Sequence, residues 1–211
     1  MDIGLQLYSG RNFPLPVVLR IASSAGYTHV EGYGALYSDA PLVKRLLNDN
    51  GLTMPTAHIG LTTLEERSGA VDIARTLGVD LVVCPILPAD QRPRDADGWR
   101  RIGQRLEALA QFYRLEGFDF GYHNHDFKFV TYENLFAIDL LLSEAPSVLF
   151  EADIAWIARA GEDPLQCLSR NGAKIAAIHV KDLAAPPGQG VDEGGWQDVG
   201  YGTMRWDVLA R

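Results

Sequence analysis

The chain has 211 residues, 47% of them hydrophobic and 22% charged, which is typical of a globular protein with a sizeable core. Its formal net charge of −8 disfavours nucleic acid as a partner, because an acidic surface repels phosphate backbones. The sequence has neither an apolar run of about 18 residues nor a basic leader, so we expect no membrane span, no signal peptide and a cytoplasmic protein.

Segments rich in β-forming residues alternate with segments of helical spacing along the chain. Predicted strands occupy residues 2–9, 28–34, 52–60, 80–87, 118–125, 147–153 and 174–182. Predicted helices occupy residues 15–26, 41–51, 63–78 and 97–117, and a Thr-x-x-Glu capping box at Thr63 opens the third. The glycine-rich residues 183–202 are predicted to form a loop over the sheet. Cys84 and Cys167 lie in apolar segments, which predicts buried free thiols.

Strand starts recur about every 30 residues, the length of one βαβ unit, so we predict a single α/β domain over residues 1–211 with a parallel sheet. Seven units exceed the five or six strands usual in a doubly wound sheet and fall one short of an eight-stranded barrel. The first strand is not followed by Gly-x-Gly-x-x-Gly, which argues against a dinucleotide-binding fold.

Ligand-capable side chains follow the ends of six of the seven predicted strands. They are Gln6, Glu31, His58, His123 with His125, Asp153, and His179 with Lys181 and Asp182. In parallel α/β barrels the chemistry lies at these carboxyl ends. A carboxylate and two imidazoles from separate strands make a plausible divalent metal site.

Each of these residues also has an ordinary structural interpretation. A histidine at a strand end is often a hydrogen-bonded structural group, and Asp153 could cap the next helix. Glu31 and Lys181 could form a buried ion pair. The alternation of side chains favours a functional site, because it places His123 with His125, Glu151 with Asp153, and His179 with Lys181 on common faces.

Four motifs together carry a resemblance to a known family. They are IGLQLYS, GYHNHDFKF, EADIAWIARAGEDP, and IHVKD followed by VGYGTMRW. With them the chain resembles, along its whole length, the sugar phosphate isomerase/epimerase family with the xylose isomerase-like TIM barrel. Relatives in that group include tagatose-type 3-epimerases, inosose dehydratases and endonuclease IV-like proteins.

The resemblance implies a divalent ion (manganese, magnesium, zinc or cobalt) at the barrel mouth and a small sugar or polyol as substrate. By position, it implies metal ligation by Asp153, His179 and His123. His58 and Glu31 match polar residues that usually line the substrate pocket of the family. Together with the strand-end positions, this leads us to predict substrate contacts from His58, Gln6 and Trp156, and catalytic roles for His125, Lys181 and Glu31.

Two features depart from the family pattern. Lys128 stands where a glutamate is usual in this subgroup, and the chain ends at Arg211, before the eighth strand and its ligand glutamate. We therefore expect a TIM-type barrel truncated to seven βα units, with the eighth strand and helix missing. Seven strands leave two unpaired edges, so a homo-oligomer is expected.

The expected function is a metal-dependent isomerase or epimerase that acts through a metal-stabilised enediolate. A dehydratase or lyase acting on a keto-sugar or inosose is an alternative, because it uses the same enolate chemistry. A non-catalytic sugar-binding remnant is another, because the fourth ligand lies beyond Arg211. The net charge and the few carboxylates argue against an endonuclease IV-like phosphodiesterase.

Overall fold

The computed structural model describes residues 2–185 and 194–209, which form two compact units. Unit one consists of Met1–Leu87 with Ala108–Gly121, and unit two of Pro88–Glu107 with Tyr122–Arg211. The chain crosses between the units after Leu87, inside one long helix and inside one strand. The division reflects where residues pack most densely against one another. It does not test the predicted single domain over residues 1–211, which stays a prediction.

Unit one alternates strands with helices, as the sequence pattern predicts. Its strands are β1 (Gly4–Gln6), β2 (His29–Gly32), β3 (Thr53–His58), β4 (Leu81–Cys84) and the first residues of β5 (Asp119–His123). Its helices are α1 (Leu15–Ser24), α2 (Ala40–Asp49), α3 (Leu61–Glu66), α4 (Ser68–Leu77) and the end of α5 (Ala96–Leu115). Strands β1 to β4 pair in parallel in chain order, and β5 follows β4.

Unit two begins with the start of α5 and the end of β5. Its further strands are β6 (Thr131–Tyr132), β7 (Leu135–Phe136), β8 (Leu149–Asp153), β9 (Ile175–His179), β10 (Asp182–Leu183) and β11 (Trp196–Gln197). Its further helices are α6 (Ala137–Ser143), α7 (Ile154–Arg159), α8 (Pro164–Asn171) and α9 (Trp206–Leu209). The sheet order is β5, β8, β9, with β8 and β9 parallel, and β6–β7 and β10–β11 are small antiparallel pairs.

The seven parallel strands thus follow one another in chain order, which confirms the predicted α/β fold. Residues 2–185 and 194–209 contain no eighth strand of this sheet. Strand β4 is buried at every position, as its unbroken apolar run LVVC predicts. Within the same described ranges, no helix has the length and apolarity needed to cross a bilayer. Residues 186–193 of the predicted 183–202 loop lie outside the described residues, and β10 and β11 pair across them.

The predicted helix over residues 63–78 is wrong, because the structure has two helices there, α3 and α4. Gly60 is the N-cap of α3, so Thr63 lies inside a helix and its capping box does not form. The break occurs at Arg67, whose φ of 62° is unfavourable for a residue with a side chain. The Arg67 guanidinium lies 4.7 Å from the centre of the Phe112 ring, a cation–π contact that offsets part of this strain.

Cys84 and Cys167 are both free and buried, as predicted. Burial raises the pKa of the Cys167 thiol to about 11, so very little reactive thiolate exists near neutral pH. We expect Ellman's reagent to modify both thiols slowly in the native protein at pH 8 and immediately after unfolding in guanidinium. Fast, complete labelling of the native protein would contradict the burial of these residues.

Candidate functional site

Three ligand-capable side chains meet in unit two at the carboxyl ends of its parallel strands. His123 ends β5, His179 ends β9, and Glu151 lies within β8. His123 Nδ1 lies 3.1 Å from Glu151 Oε2, and His179 Nε2 lies 3.4 Å from the same oxygen. The three residues, here named the histidine–glutamate cluster, each offer a ligand atom within 4.8 Å of the others.

The pairing of β8 with β9 determines this arrangement. Asp153 is in register with His179, and Glu151 with Ala177, after an irregularity between Phe150 and Glu151. Because side chains alternate along a strand, Glu151 and Asp153 project from the same face. Glu151 is fully buried. An ionised carboxylate in such a place costs several kcal/mol unless positive groups surround it.

The cluster fits a divalent metal ion. Bonds of about 2.1 Å around a tetrahedral zinc place neighbouring ligand atoms about 3.4 Å apart. The separations of 3.1 and 3.4 Å between the imidazole nitrogens and Glu151 Oε2 are of this size. One carboxylate with two imidazoles is also a donor set that binds zinc, manganese, cobalt or iron.

Asp153 is fully buried, and each of its two carboxylate oxygens has its own set of contacts. Its Oδ1 accepts hydrogen bonds from the backbone N–H groups of Ala155 and Trp156, so it caps α7, the structural role considered above. Its Oδ2 lies 2.8 Å from Lys181 Nζ and 3.8 Å from His179 Nδ1. Burial alone would raise the pKa of the Asp153 carboxyl, but the His179 contact and the Lys181 charge hold that pKa below its ordinary value. Its predicted role as a metal ligand stays a prediction.

Unit one has its own polar cluster at strand ends, centred on the buried carboxylate of Glu31. Oε1 accepts a hydrogen bond of 3.0 Å from Gln6 Nε2 and lies 3.3 Å from His58 Nε2. Oε2 accepts a hydrogen bond of 2.9 Å from the Thr56 hydroxyl. The register causes this contact set, since Glu31 is paired with Gln6 in β1 and with Thr56 in β3. The predicted roles of Glu31, Gln6 and His58 stay predictions.

His125 and Trp156 lie beside the histidine–glutamate cluster. The strand ends at His123, so His125 belongs to the extended segment after β5 and not to the strand itself. Its ring centre is nevertheless 5.0 Å from that of His123 and 5.1 Å from that of Trp156. Lys181, the third residue predicted nearby, pairs with Asp153. The structure therefore brings these predicted residues together in unit two.

Lys128, the departure from the family pattern, is fully buried. Its ammonium group donates a hydrogen bond to the His123 carbonyl oxygen and lies 4.2 Å from the centre of the Tyr122 ring. A second aromatic ring, that of Phe127, is 5.0 Å away. These contacts stabilise a buried cation and anchor the backbone of His123.

Asp182 is a further buried carboxylate, at the start of β10. Its two oxygens accept four backbone hydrogen bonds, 2.8–3.2 Å long, and one of 2.8 Å from Trp206 Nε1. The backbone donors are Leu183, Gly200, Gly202 and Met204. Asp182 therefore holds residues 200–206 against the start of β10.

The stability that Asp182 contributes will depend on pH. Burial alone would raise the pKa of its carboxyl, but the hydrogen bonds from Met204, Trp206 and Gly200 hold that pKa below the ordinary value. The stabilisation is therefore complete above the unfolded pKa of about 4 and disappears as the pH falls through the lower, folded value. We expect Asp182→Asn to cost about 2 kcal/mol at pH 7 and progressively less as the pH is lowered below about 4, measured by chemical denaturation. A cost that does not fall with pH below that value would contradict this.

Sequence reasoning placed Glu151 on the face of Asp153 but did not name it as a ligand. The available signal was the alternation of side chains along SVLFEAD, which puts Glu151 and Asp153 on the same face of the strand. It also missed Asn124, whose side-chain amide exchanges two hydrogen bonds, of 2.8 and 3.1 Å, with the backbone of Asp153. Only the pairing of strands reveals such a bond, because the partners are 29 residues apart.

Comparison with solved structures shows the same fold in several proteins. A sugar phosphate isomerase/epimerase from Parabacteroides distasonis matches with a TM-score of 0.75 and 22% identity, over 89% of this chain and 78% of that one. The probable 3-DHS dehydratase AsbF from Bacillus anthracis matches with a TM-score of 0.79 and 15% identity, over 99% and 87%. The IolI protein, whose structure contains zinc, matches with a TM-score of 0.78 and 16% identity, over 98% and 82%.

None of the curated protein sequences matches the chain significantly. A family model described as the xylose isomerase-like TIM barrel matches residues 19–211. This match covers most of the chain and agrees with the seven parallel strands in chain order. The chain therefore belongs to the xylose isomerase-like TIM barrel family.

Proposed function

We propose that the protein is a metal-dependent isomerase or epimerase acting on a small sugar or polyol-like substrate. The observation that carries the proposal is the histidine–glutamate cluster at the carboxyl ends of β5, β8 and β9, in which His123 and Glu151 are buried and His179 is partly buried. These strand ends are where enzymes with parallel α/β barrels place their chemistry. Sugar isomerase, epimerase and dehydratase folds among the similar structures support the same class of chemistry.

His123, Glu151 and His179 would hold a divalent ion such as Mn²⁺, Mg²⁺, Zn²⁺ or Co²⁺. When bound, the ion would supply the Lewis acidity that stabilises an enediolate. Asp153 lies on the side of His179 opposite to Glu151, because Oδ2 approaches Nδ1 while Glu151 approaches Nε2. A carboxylate in that place fixes the tautomer and orientation of a ligand histidine. The geometry thus favours an orienting role for Asp153 over direct ligation.

The remaining predicted residues would handle the substrate. His125 lies next to the cluster and Lys181 beside Asp153, so either side chain is placed to move a proton at a carbon next to a carbonyl group. Trp156 presents an aromatic face beside His125. From the family resemblance and the strand-end positions, we propose Glu31 as a further proton-transfer group. On the same grounds we propose Gln6 and His58 as substrate contacts.

The test combines metal analysis with turnover. The purified chain would be analysed by plasma mass spectrometry and then assayed on aldoses, ketoses and inososes in deuterium oxide with each of the four ions. An isomerase or epimerase will exchange the hydrogen next to the carbonyl for deuterium, and a dehydratase will release water. His125→Ala should lower kcat at least about tenfold with little change in Tm, and His29→Ala serves as the control. Metal binding without exchange or turnover would favour the non-catalytic alternative.

We also propose that the protein self-associates through the free edge of β9. Among the described residues this strand pairs with β8 only. The apolar side chains of Ile178, within the strand, and Val180, just after it, are 42% and 52% exposed. A strand edge with unpaired backbone groups and apolar neighbours favours pairing with another chain. A second copy of this protein is the occupant that we propose.

Sedimentation velocity at low micromolar concentration tests this proposal. We expect a dimer or larger species for the unmodified protein and a monomer for Val180→Lys, because a charge blocks the apolar edge. Leu135→Lys is the matched control, since Leu135 is 48% exposed on the separate β6–β7 pair. If the unmodified protein is a well-folded monomer, the edge of β9 is stable in contact with water and the proposed self-association is wrong.

A further inference from the structure

Beyond the histidine–glutamate cluster, unit two contains an aromatic surface, one member of which, Trp196, has no role in the proposed function. The Trp156 and Trp196 rings pack edge to face, with centres 4.7 Å apart and an interplanar angle of 81°. Trp156 in turn contacts His125, which contacts His123 of the cluster. Lys181 Nζ lies 5.5 Å from the centre of the Trp196 ring. We call His125, Trp156 and Trp196 the aromatic wall.

Trp196 reaches the wall through β11, whose pairing with β10 sets Trp196 opposite Leu183. The Arg159 guanidinium lies 5.2 Å from the Trp156 ring centre and 4.9 Å from the Trp196 ring centre, and donates a 3.0 Å hydrogen bond to the Gly194 carbonyl oxygen. Trp196 is only half buried, so part of its indole remains available for a ligand.

The segment that follows Trp196 is held by Asp182. Gly200 has a φ of 91°, and a Cβ on Gly202 would lie 2.2 Å from Asp182 Oδ1 and 2.3 Å from the Leu183 carbonyl oxygen. These glycines allow the backbone to wrap closely around the carboxylate. The turn at residues 200–202 and the strands β10 and β11 therefore form one connected support for Trp196.

We infer that Trp196 contacts the substrate and, with Trp156, packs against the carbon–hydrogen face of a sugar or polyol, and that Asp182 is the positioning residue for Trp196. This inference rests on the proposed function and deepens it. The cluster supplies polar groups at one side of the substrate, and the wall supplies a flat apolar surface. A few polar groups beside aromatic walls are the usual composition of small-molecule sites.

Two pairs of variants test the inference. Trp196→Ala removes the aromatic surface, and Trp196→Phe restores part of it. Gly202→Ala displaces the turn without removing any ligand-contacting side chain. Gly172→Ala is its control, because a Cβ at Gly172 meets nothing within 4 Å and its φ of −50° suits alanine.

We expect Trp196→Ala to raise KM about tenfold and to change kcat less than about threefold, since the Trp196 ring contacts the substrate but carries no group that transfers a proton. Trp196→Phe should bring KM back within about threefold of the unmodified enzyme. Gly202→Ala should raise KM in the same direction, whereas Gly172→Ala should not. Metal content should be unchanged in all four variants. A fall in Tm with an unchanged KM in Trp196→Ala would overturn the inference, because Trp196 would then be structural.

If the unmodified protein turns over no sugar, the proposed enzymatic function fails, and the wall is tested by binding alone. Isothermal titration with D-fructose and with xylitol would be compared between the unmodified protein and Trp196→Ala. About tenfold weaker binding in the variant supports the wall. Equal binding by both proteins, or binding of neither probe, overturns it.

Discussion

Replacing Glu151 by glutamine will lower the affinity for a divalent ion by more than about 100-fold and abolish turnover. The carboxylate is the charged member of the cluster, and both imidazoles approach the same oxygen, Oε2. Glutamine preserves the volume but supplies a neutral amide in a fully buried position. The loss should exceed the 10- to 100-fold typical of residues that only orient a ligand.

Zinc and manganese titrations followed by calorimetry will measure this affinity. The increase in Tm on adding metal gives a second readout, because an ion that binds only the folded state stabilises it by mass action. Glu144→Gln is the control, since its carboxylate accepts a solvent-exposed hydrogen bond from Gln104 in the same unit. Metal binding unchanged in Glu151→Gln would show that the cluster is not the metal site.

Asp153→Asn is expected to cost about 3 kcal/mol of unfolding free energy, because it leaves the Lys181 ammonium without its partner carboxylate. Asparagine is also a good N-cap, so the hydrogen bonds to Ala155 and Trp156 can persist and the loss reports mainly the charge pair. Metal affinity should fall about 10- to 100-fold, less than in Glu151→Gln.

Urea denaturation and metal titration of the same samples will check both parts. Asp163→Asn is the matched control, because Asp163 caps α8 through Leu165 but is exposed to solvent. Its cost should stay within about 0.5 kcal/mol. If Asp153→Asn removes metal binding as completely as Glu151→Gln, Asp153 is a ligand itself, as the family resemblance implies.

Much of the architecture follows from local sequence signals. Segments rich in β-forming residues predict all seven parallel strands, and helical spacing predicts α1, α2 and α5 to within a few residues. The short helices α6, α7 and α8 were not predicted. Only six to eight residues long, they show too few repeats of an apolar face, so tertiary packing decides their formation. The break at Arg67 was missed for a different reason: the capping box and the helical spacing both indicated one continuous helix.

By itself, the sequence determined the parallel α/β fold and the gathering of polar residues at strand ends. Both follow from local properties, namely the alternation of strand and helix patterns and the residues that end each element. It also placed Glu151 and Asp153 on one face of β8. Only the tertiary structure decided which of the two carboxylates faces both imidazoles, since that depends on the β8–β9 register and the irregularity before Glu151. The same holds for Asp182 and Trp196, whose contacts with Trp206 and Trp156 join positions more than twenty residues apart and form only after the chain has folded.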